Sequence, residues 1–226
     1  MLVKGFPNFP PPRSFQMKKS LVILTVLCLL LGCATYPPPK MEGNRYQNYR
    51  HGFTLELPGE PWVVPDKLPA RFESSMGAAV YPARKRKLLL SNNQTNALIT
   101  VQCSRSTHDF NYLFRNALYT VTTRELEKTK KASLKSEAVT RFDYNVSFQG
   151  VSGQTLGWTY EMDLETPIQR IRLITRGRAY PIGDDTHIVE IGLWSDQFTF
   201  NENLEVFDKL YKSFVWSDLF TKPTAE

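Results

Sequence analysis

Short apolar stretches that alternate with polar residues recur along most of the chain after residue 50, and this pattern predicts strands with one buried face. Residues typical of turns interrupt the pattern at 58–59, 92–93 and 183–185. Between these turns the sequence predicts strands over residues 53–57, 87–91, 97–104, 142–148, 156–163, 168–174 and 187–194. In the strand over 97–104, Ile99, Val101 and Cys103 share the apolar face.

Two other stretches place apolar residues at helical spacing. The first follows Thr107-His108-Asp109, which can cap a helix, and it is expected to end near Lys130. Its apolar residues are Phe110, Leu113, Phe114, Ala117, Leu118 and Val121. The second helix is predicted over residues 201–213, and the residues of its buried face are Leu204, Phe207, Leu210 and Tyr211. Residues 214–216 are expected to close the domain.

The order of these elements indicates the fold class. Strands joined by short turns pair antiparallel, and helices that cover an antiparallel sheet form an α+β layered domain. The sequence shows no repeat of fixed period and no interior linker rich in Gly and Ser. We therefore predict a single α+β domain over residues 46–218, followed by a C-terminal tail at 219–226.

The N-terminal region has the pattern of a secretory signal. Met17-Lys18-Lys19-Ser20 is positively charged, and the apolar run over 21–31 is too short to span a bilayer, which needs about 20 apolar residues. We assign residues 17–32 as a signal peptide and 33–45, which contain Pro37, Pro38 and Pro39, as an extended tether. Residues 1–16 are rich in proline, and we expect translation to start at Met17; the alternative is a long positively charged leader.

The apolar run ends in Leu30-Leu31-Gly32-Cys33, which resembles the lipobox of bacterial lipoproteins. The resemblance implies that the Gly32–Cys33 bond is cleaved and that Cys33 carries a diacylglycerol, although Leu31 stands where a small residue is commoner. Several acyl chains anchor a protein stably, whereas one chain binds only marginally. In this family Asp after the cysteine favours retention in the inner membrane, so Ala34 implies the periplasmic side of the outer membrane.

The net charge changes when the leader is left out. The whole chain has a formal charge of +6, with 28 basic and 22 acidic residues. Residues 1–32 hold Lys4, Arg13, Lys18 and Lys19 and no acidic residue, so 24 basic and 22 acidic residues remain, a net charge of +2. This small excess and the expected location outside the cytoplasm argue against a nucleic-acid partner.

Three segments of the domain resemble the PsbP/Mog1-like α/β/α sandwich. They are the opening strand and Pro–Trp loop over residues 49–62, the late strand over 187–194, and the closing helix followed by Lys212-Ser213-Phe214-Val215-Trp216. The resemblance extends over nearly all of residues 46–218. It implies a binding or assembly-support module that is not an enzyme, and it carries over no functional residue.

Cys103 and the group Asp184, Asp185 and His187 are the candidates for chemistry. Cys103 could act as a nucleophile if His108 or His187 lay within hydrogen-bond reach in an open pocket, but its apolar face favours a buried, inert thiol. Asp184, Asp185 and His187 offer metal ligands within four residues, yet Gly183-Asp184-Asp185-Thr186 is more simply a hairpin turn. We therefore assign no catalytic residue, no metal site and no cofactor.

Two further motifs allow both a functional and a structural interpretation. Gly150-Val151-Ser152-Gly153-Gln154 differs from a nucleophile elbow because Gln154 replaces the second glycine and the motif lies between strands. Arg84-Lys85-Arg86-Lys87 is the strongest run of charge; it could contact acidic lipid headgroups, lipopolysaccharide or an acidic partner, or form a solvated loop.

The sequence therefore predicts a lipid-anchored periplasmic binding or assembly module, attached to the membrane through Cys33. Its partner would be an envelope protein or an acidic lipid. The alternatives are an envelope hydrolase, which needs a cleft with converging polar side chains, and a metal or small-ligand carrier, which needs bound metal or ligand.

Overall fold

The computed structural model describes residues 36–69, 72, 86–116, 141–152, 155–165 and 170–217, and Pro38–Lys222 forms one compact unit. The strands are β1 Lys40–Glu42, β2 Arg45–Asn48, β3 Phe53–Glu56, β4 Trp62–Val63, β5 Arg86–Asn92, β6 Ala97–Ser106, β7 Arg141–Ser152, β8 Thr155–Glu165, β9 Arg170–Ile182, β10 Asp185–Asp196 and β11 Val215–Trp216. The helices are α1 Phe110–Arg115 and α2 Phe200–Lys212.

The strands form two antiparallel sheets. The large sheet has the order β4-β5-β6-β10-β9-β8-β7, and the small sheet has the order β1-β2-β3-β11. Every pairing between neighbouring strands is antiparallel. This arrangement confirms the predicted α+β class with antiparallel sheets and flanking helices.

The two faces of the large sheet bury different sets of side chains, because successive residues of a strand point to opposite faces. One face packs against α2 and the small sheet, and it includes Ile99, Val101 and Cys103 as the alternation predicts. The other face buries Trp158 and Trp194, among others, together with Leu68 and Phe72. Each face therefore has its own apolar core.

In the core that contains Trp158 and Trp194, one side chain packs directly against the backbone of a neighbouring strand. Trp158 lies directly opposite Gly177 in the pairing of β8 with β9. A Cβ atom on residue 177 would overlap the carbons of the buried Trp158 indole, so only glycine fits here without a shift of the ring.

Helix α2 is fixed at both ends by contacts with the sheets. Near its start, the buried Asn203 accepts a hydrogen bond from Thr95 Oγ1 (2.8 Å) and donates one to Ser195 Oγ (2.9 Å). At its end, Ser213 Oγ donates to the Leu210 carbonyl (2.7 Å) and accepts from the Glu56 amide (2.9 Å). These contacts hold the helix against both sheets.

Strand β9 is longer than predicted: the alternating pattern predicts a strand that ends at Ile174, whereas the strand continues to Ile182. After Ile174, its face toward α2 carries arginines instead of further aliphatic residues. The Arg176 guanidinium lies 5.2 Å from the ring centres of Phe207 and Tyr211, and Arg178 lies 4.6 Å from that of Tyr211. These cation–π contacts with the aromatic rings of α2 stabilise the two charged side chains at the interface between β9 and the helix.

Other expectations differ from the structure or lie outside it. The Pro–Trp loop contains the short strand β4, which pairs with β5. Strand β1 lies within the stretch 33–45 that is predicted as a tether, and it forms there because β2 supplies its hydrogen-bond partners. The predicted start of the first helix is confirmed at Phe110, whereas its continuation beyond residue 116 lies outside the described residues. The leader, Gly32, Cys33 and Gly153-Gln154 also lie outside them. No helix within the described ranges is long and apolar enough to cross a bilayer.

Candidate functional site

Basic and imidazole side chains from both sheets meet at the end of the molecule where β1 begins. We call this end the basic pole and define it by Lys40, Arg50, His51, Lys87, Arg105 and His187. The Lys40 Cα lies opposite Gln47 in the pairing of β1 with β2, and β2 then enters the turn of residues 49–52. In the large sheet, β5 begins, β6 ends and β10 begins at this same end.

Two contacts join the sheets at the basic pole. The Tyr46 hydroxyl donates a hydrogen bond to the Lys87 carbonyl (3.3 Å), which connects β2 to β5. The rings of His51 and His187 meet edge to face, with 5.2 Å between their centres. The His51 amide donates to Asn48 Oδ1 (3.1 Å), and Gly52 adopts a positive φ of 63°, so the turn is shaped locally to place His51 on the large sheet.

Both histidines are buried, and one ring nitrogen of each lacks a hydrogen-bond partner among the described residues. Their exposed fractions are 4% for His51 and 5% for His187, and neither Nδ1 atom has a hydrogen-bond partner in the described structure. Burial lowers the pKa of His51 to about 3, and the neighbouring His187, Lys87, Arg50 and Arg105 add to the effect. Burial also lowers the pKa of His187 to about 4, assisted by Arg105 and Arg50. Both imidazoles are therefore neutral at neutral pH.

The structure separates the three predicted metal-ligand candidates. Asp185 forms an ion pair with Arg105, Asp184 lies in the exposed turn before β10, and His187 is buried between the strand neighbours Arg105 and Tyr180. Among the residues that the structure describes, no group of three or more His, Cys, Asp or Glu side chains is arranged to hold a metal ion. The cations around the histidines would also oppose a bound cation.

Cys103 lies on the same face of the large sheet as His187 and pairs with Val189, two residues further along β10. It is buried, and burial raises the pKa of its thiol, so the thiol stays protonated. Within the described ranges it makes no hydrogen bond with His108 or His187. His108 is exposed, and its ring lies tilted against that of Tyr112, with 4.6 Å between the ring centres. The arrangement therefore lacks an activated thiol next to a base.

Part of the predicted basic run belongs to the basic pole. Arg84 and Lys85 lie outside the described residues, Arg86 begins β5, and Lys87 is half-buried beside the small sheet. Sequence reasoning found Lys87 from its charge but missed His51 and Arg50. Those two residues belong to a turn that only the packing of the small sheet brings next to His187.

A groove lies at the opposite end of the strands, between the loop of residues 58–62 and α2. Its volume is about 390 Å³. Its apolar lining is Leu57, Pro58, Pro61, Trp62, Val206 and Leu210, and its charged residues are Glu56, Glu60, Glu202 and Lys209. Sequence reasoning placed Trp62 in a loop but did not predict a groove, because the other wall comes from the distant α2.

A second, more polar cavity of about 220 Å³ lies at the edge of the large sheet, where β7, β8 and β9 pair. Its acidic and basic residues largely neutralise each other: Arg170 pairs with Glu165 (3.0 Å), and Arg172 lies near Glu161 (3.3 Å) and Asp163 (3.4 Å). Because these side chains already satisfy one another, the cavity offers no excess charge to a ligand.

Comparisons with known proteins identify the fold. The solution structure of CyanoP, the cyanobacterial PsbP of Synechocystis sp. PCC 6803, is similar with a TM-score of 0.52 at 12% identity, over 78% of this chain and 97% of that one. This chain has a PsbP-like fold. No family model matches the chain, and no curated protein matches its sequence.

Two weaker structural likenesses cover a similar share of this chain. LpqN, a Mycobacterium tuberculosis protein involved in cell envelope biogenesis, has a TM-score of 0.46 at 10% identity, over 79% of this chain and 89% of that one. The Ran-binding protein Mog1p of Saccharomyces cerevisiae has a TM-score of 0.38 at 10% identity, over 80% of this chain and 98% of that one. Similarity at this level carries no argument about function.

Proposed function

We propose that this protein is a lipid-anchored binding or assembly-support module of the bacterial envelope, held at the periplasmic side of the outer membrane through Cys33, and that it is not an enzyme. One observation carries the proposal. The first strand begins at Lys40, only seven residues after Cys33, so a lipid on Cys33 would keep the domain within about 25 Å of the bilayer. A surface module that acts next to a membrane needs this short connection.

The chemistry of the described residues supports a non-enzymatic role. The thiol of Cys103 is buried and protonated, and the two histidines that could serve as bases are sealed and neutral. A hydrolase that works through a side-chain nucleophile needs this nucleophile and a base in contact at an accessible site. Neither a hydrolase nor a metal carrier is favoured by a particular observation among these residues.

Labelling of the anchor tests the proposal. In cells grown with labelled palmitate, the wild-type chain is expected to take up label and to fractionate with the outer membrane. Cys33→Ser should abolish both, because only Cys33 can carry the lipid. Cys28→Ser is the matched control, since it removes a leader cysteine and should leave labelling unchanged. Label that persists in Cys33→Ser would refute the anchor.

Crosslinking tests the binding role in the same cells. A photoreactive residue in place of Glu60, at the rim of the groove, should capture an envelope component from the anchored protein. The same residue in place of Asp143, on the exposed face of β7, provides the control for random encounters. Equal capture from the two sites would contradict specific binding at the groove.

A further inference from the structure

We infer that the basic pole docks on anionic phospholipid headgroups, so that the anchored domain stands on the membrane with this end down. The inference rests on the proposed function, because the anchor brings the pole to the bilayer. It goes beyond that function by naming the surface that meets the lipid and the orientation that results.

The first step concerns charge. Arg50 and Lys87 come from different sheets, and the packing of His51 on His187 brings them to one place. Neither has a carboxylate partner among the described residues, whereas Lys40 pairs with Glu42 and Arg105 pairs with Asp185. The groups that depress the pKa values of the two histidines by their charge are cations. Arg50 and Lys87 therefore remain as two cations without a carboxylate partner in the described ranges, while Asp184, in the exposed turn before β10, and Asp109, which follows β6, lie at the same end.

The second step concerns distance from the membrane. Electrostatic attraction to a charged surface decays over about 8 Å at physiological salt, so only the part of a domain next to the bilayer feels it. The chain reaches the domain at Lys40, which is itself part of the basic pole. With a lipid on Cys33, the tether would therefore keep the end that carries Arg50 and Lys87 next to the bilayer.

The third step concerns the opposite end. The groove there has three carboxylates, Glu56, Glu60 and Glu202, with Lys209 as the cation of its lining. An anionic surface repels these carboxylates while it attracts the basic pole, so both ends favour the same orientation. In that orientation the groove faces away from the membrane and is open to a partner.

Energy transfer to the membrane tests the orientation. The lipidated full chain, purified from membranes, is placed in neutral phosphatidylcholine vesicles that contain headgroup-labelled acceptor, with or without phosphatidylglycerol. Because Cys103 is buried and Cys33 would be blocked by lipid, one donor dye can be attached at Tyr49→Cys in the basic pole or at Gly59→Cys beside the groove. We expect phosphatidylglycerol to raise transfer from residue 49 and to lower it from residue 59.

Charge variants identify the docking residues. Each basic side chain near an anionic surface contributes about a fivefold change in binding, so Arg50→Gln with Lys87→Gln should lower the docking equilibrium about 25-fold. Lys67→Gln with Lys212→Gln is the matched control, because it removes two exposed lysines that belong neither to the basic pole nor to the groove and should leave transfer from residue 49 unchanged. Added salt should reduce the wild-type signal in the same way.

Flotation in the same samples separates the two proposals. If the chain floats with neutral vesicles but phosphatidylglycerol does not change transfer from residue 49, docking is refuted and the anchor stands. If the chain does not float with neutral vesicles, the anchor is refuted. In that case, docking is still supported if the chain floats only with vesicles that contain phosphatidylglycerol and if the variant with Arg50→Gln and Lys87→Gln does not float. If the chain floats with neither kind of vesicle, the anchor and the docking are both refuted.

Discussion

His51 and His187 show how one pair of residues makes folding depend on pH. Both are neutral in the folded protein because their pKa values fall from 6.5 to about 3 and about 4, whereas in the unfolded chain they take up protons near pH 6.5. The unfolded state then binds more protons, so stability is full above pH 6.5 and decreases as the pH falls toward 4. Each histidine contributes a slope of at most about 1.4 kcal/mol per pH unit.

Replacement of one histidine should remove its share of this slope. The free energy of unfolding of His187→Gln, relative to that of the wild type, is expected to rise by about 1.4 kcal/mol for each pH unit as the pH is lowered from 6.5 to about 4. The free energy of unfolding from urea titrations at several pH values measures the difference. His108→Gln, which removes an exposed imidazole, is the control. A constant difference between His187→Gln and wild type across this range would show that His187 is not buried as a neutral group.

At the scale of the element, α2 depends on a polar contact that its sequence does not suggest. Asparagine is unfavourable inside a helix, yet Asn203 is buried and bonds with Thr95, Ser195 and the Thr199 carbonyl. Asn203→Ala would leave the buried Thr95 and Ser195 hydroxyls without this partner. We expect a loss of about 3 kcal/mol in the free energy of unfolding.

Asn201→Ala is the matched comparison for this prediction, because Asn201 lies in the same turn of the helix but is exposed. It should change the free energy of unfolding by less than about 0.5 kcal/mol. Chemical denaturation of both variants provides the measurement. Similar losses in the two variants would show that the buried contact of Asn203 does not determine the stability of this end, because alanine is the better helix former at both positions.

Comparison of particular elements shows what the sequence could predict. Strand β6 and helix α2 were predicted to within two residues, because their apolar residues repeat with the period of the element. Strand β9 was predicted too short, since Arg176 and Arg178 look solvent-exposed until the rings of α2 cover them. The contact of His51 with His187 could not be predicted, because it joins two sheets whose packing no local pattern encodes.

At the scale of the whole molecule, the tether should control docking through effective concentration. A linked surface meets its target less often as the linker grows, roughly as the −3/2 power of linker length. Gly/Ser residues inserted before Lys40, which lengthen the seven-residue connection to about 20 residues, should lower the docked-to-undocked ratio about fivefold. Energy transfer from residue 49 to phosphatidylglycerol vesicles should fall, while flotation stays complete because the lipid is unchanged. The same insertion after Glu226 controls for composition and size, and unchanged transfer in the long-tether variant would contradict docking by a tethered pole.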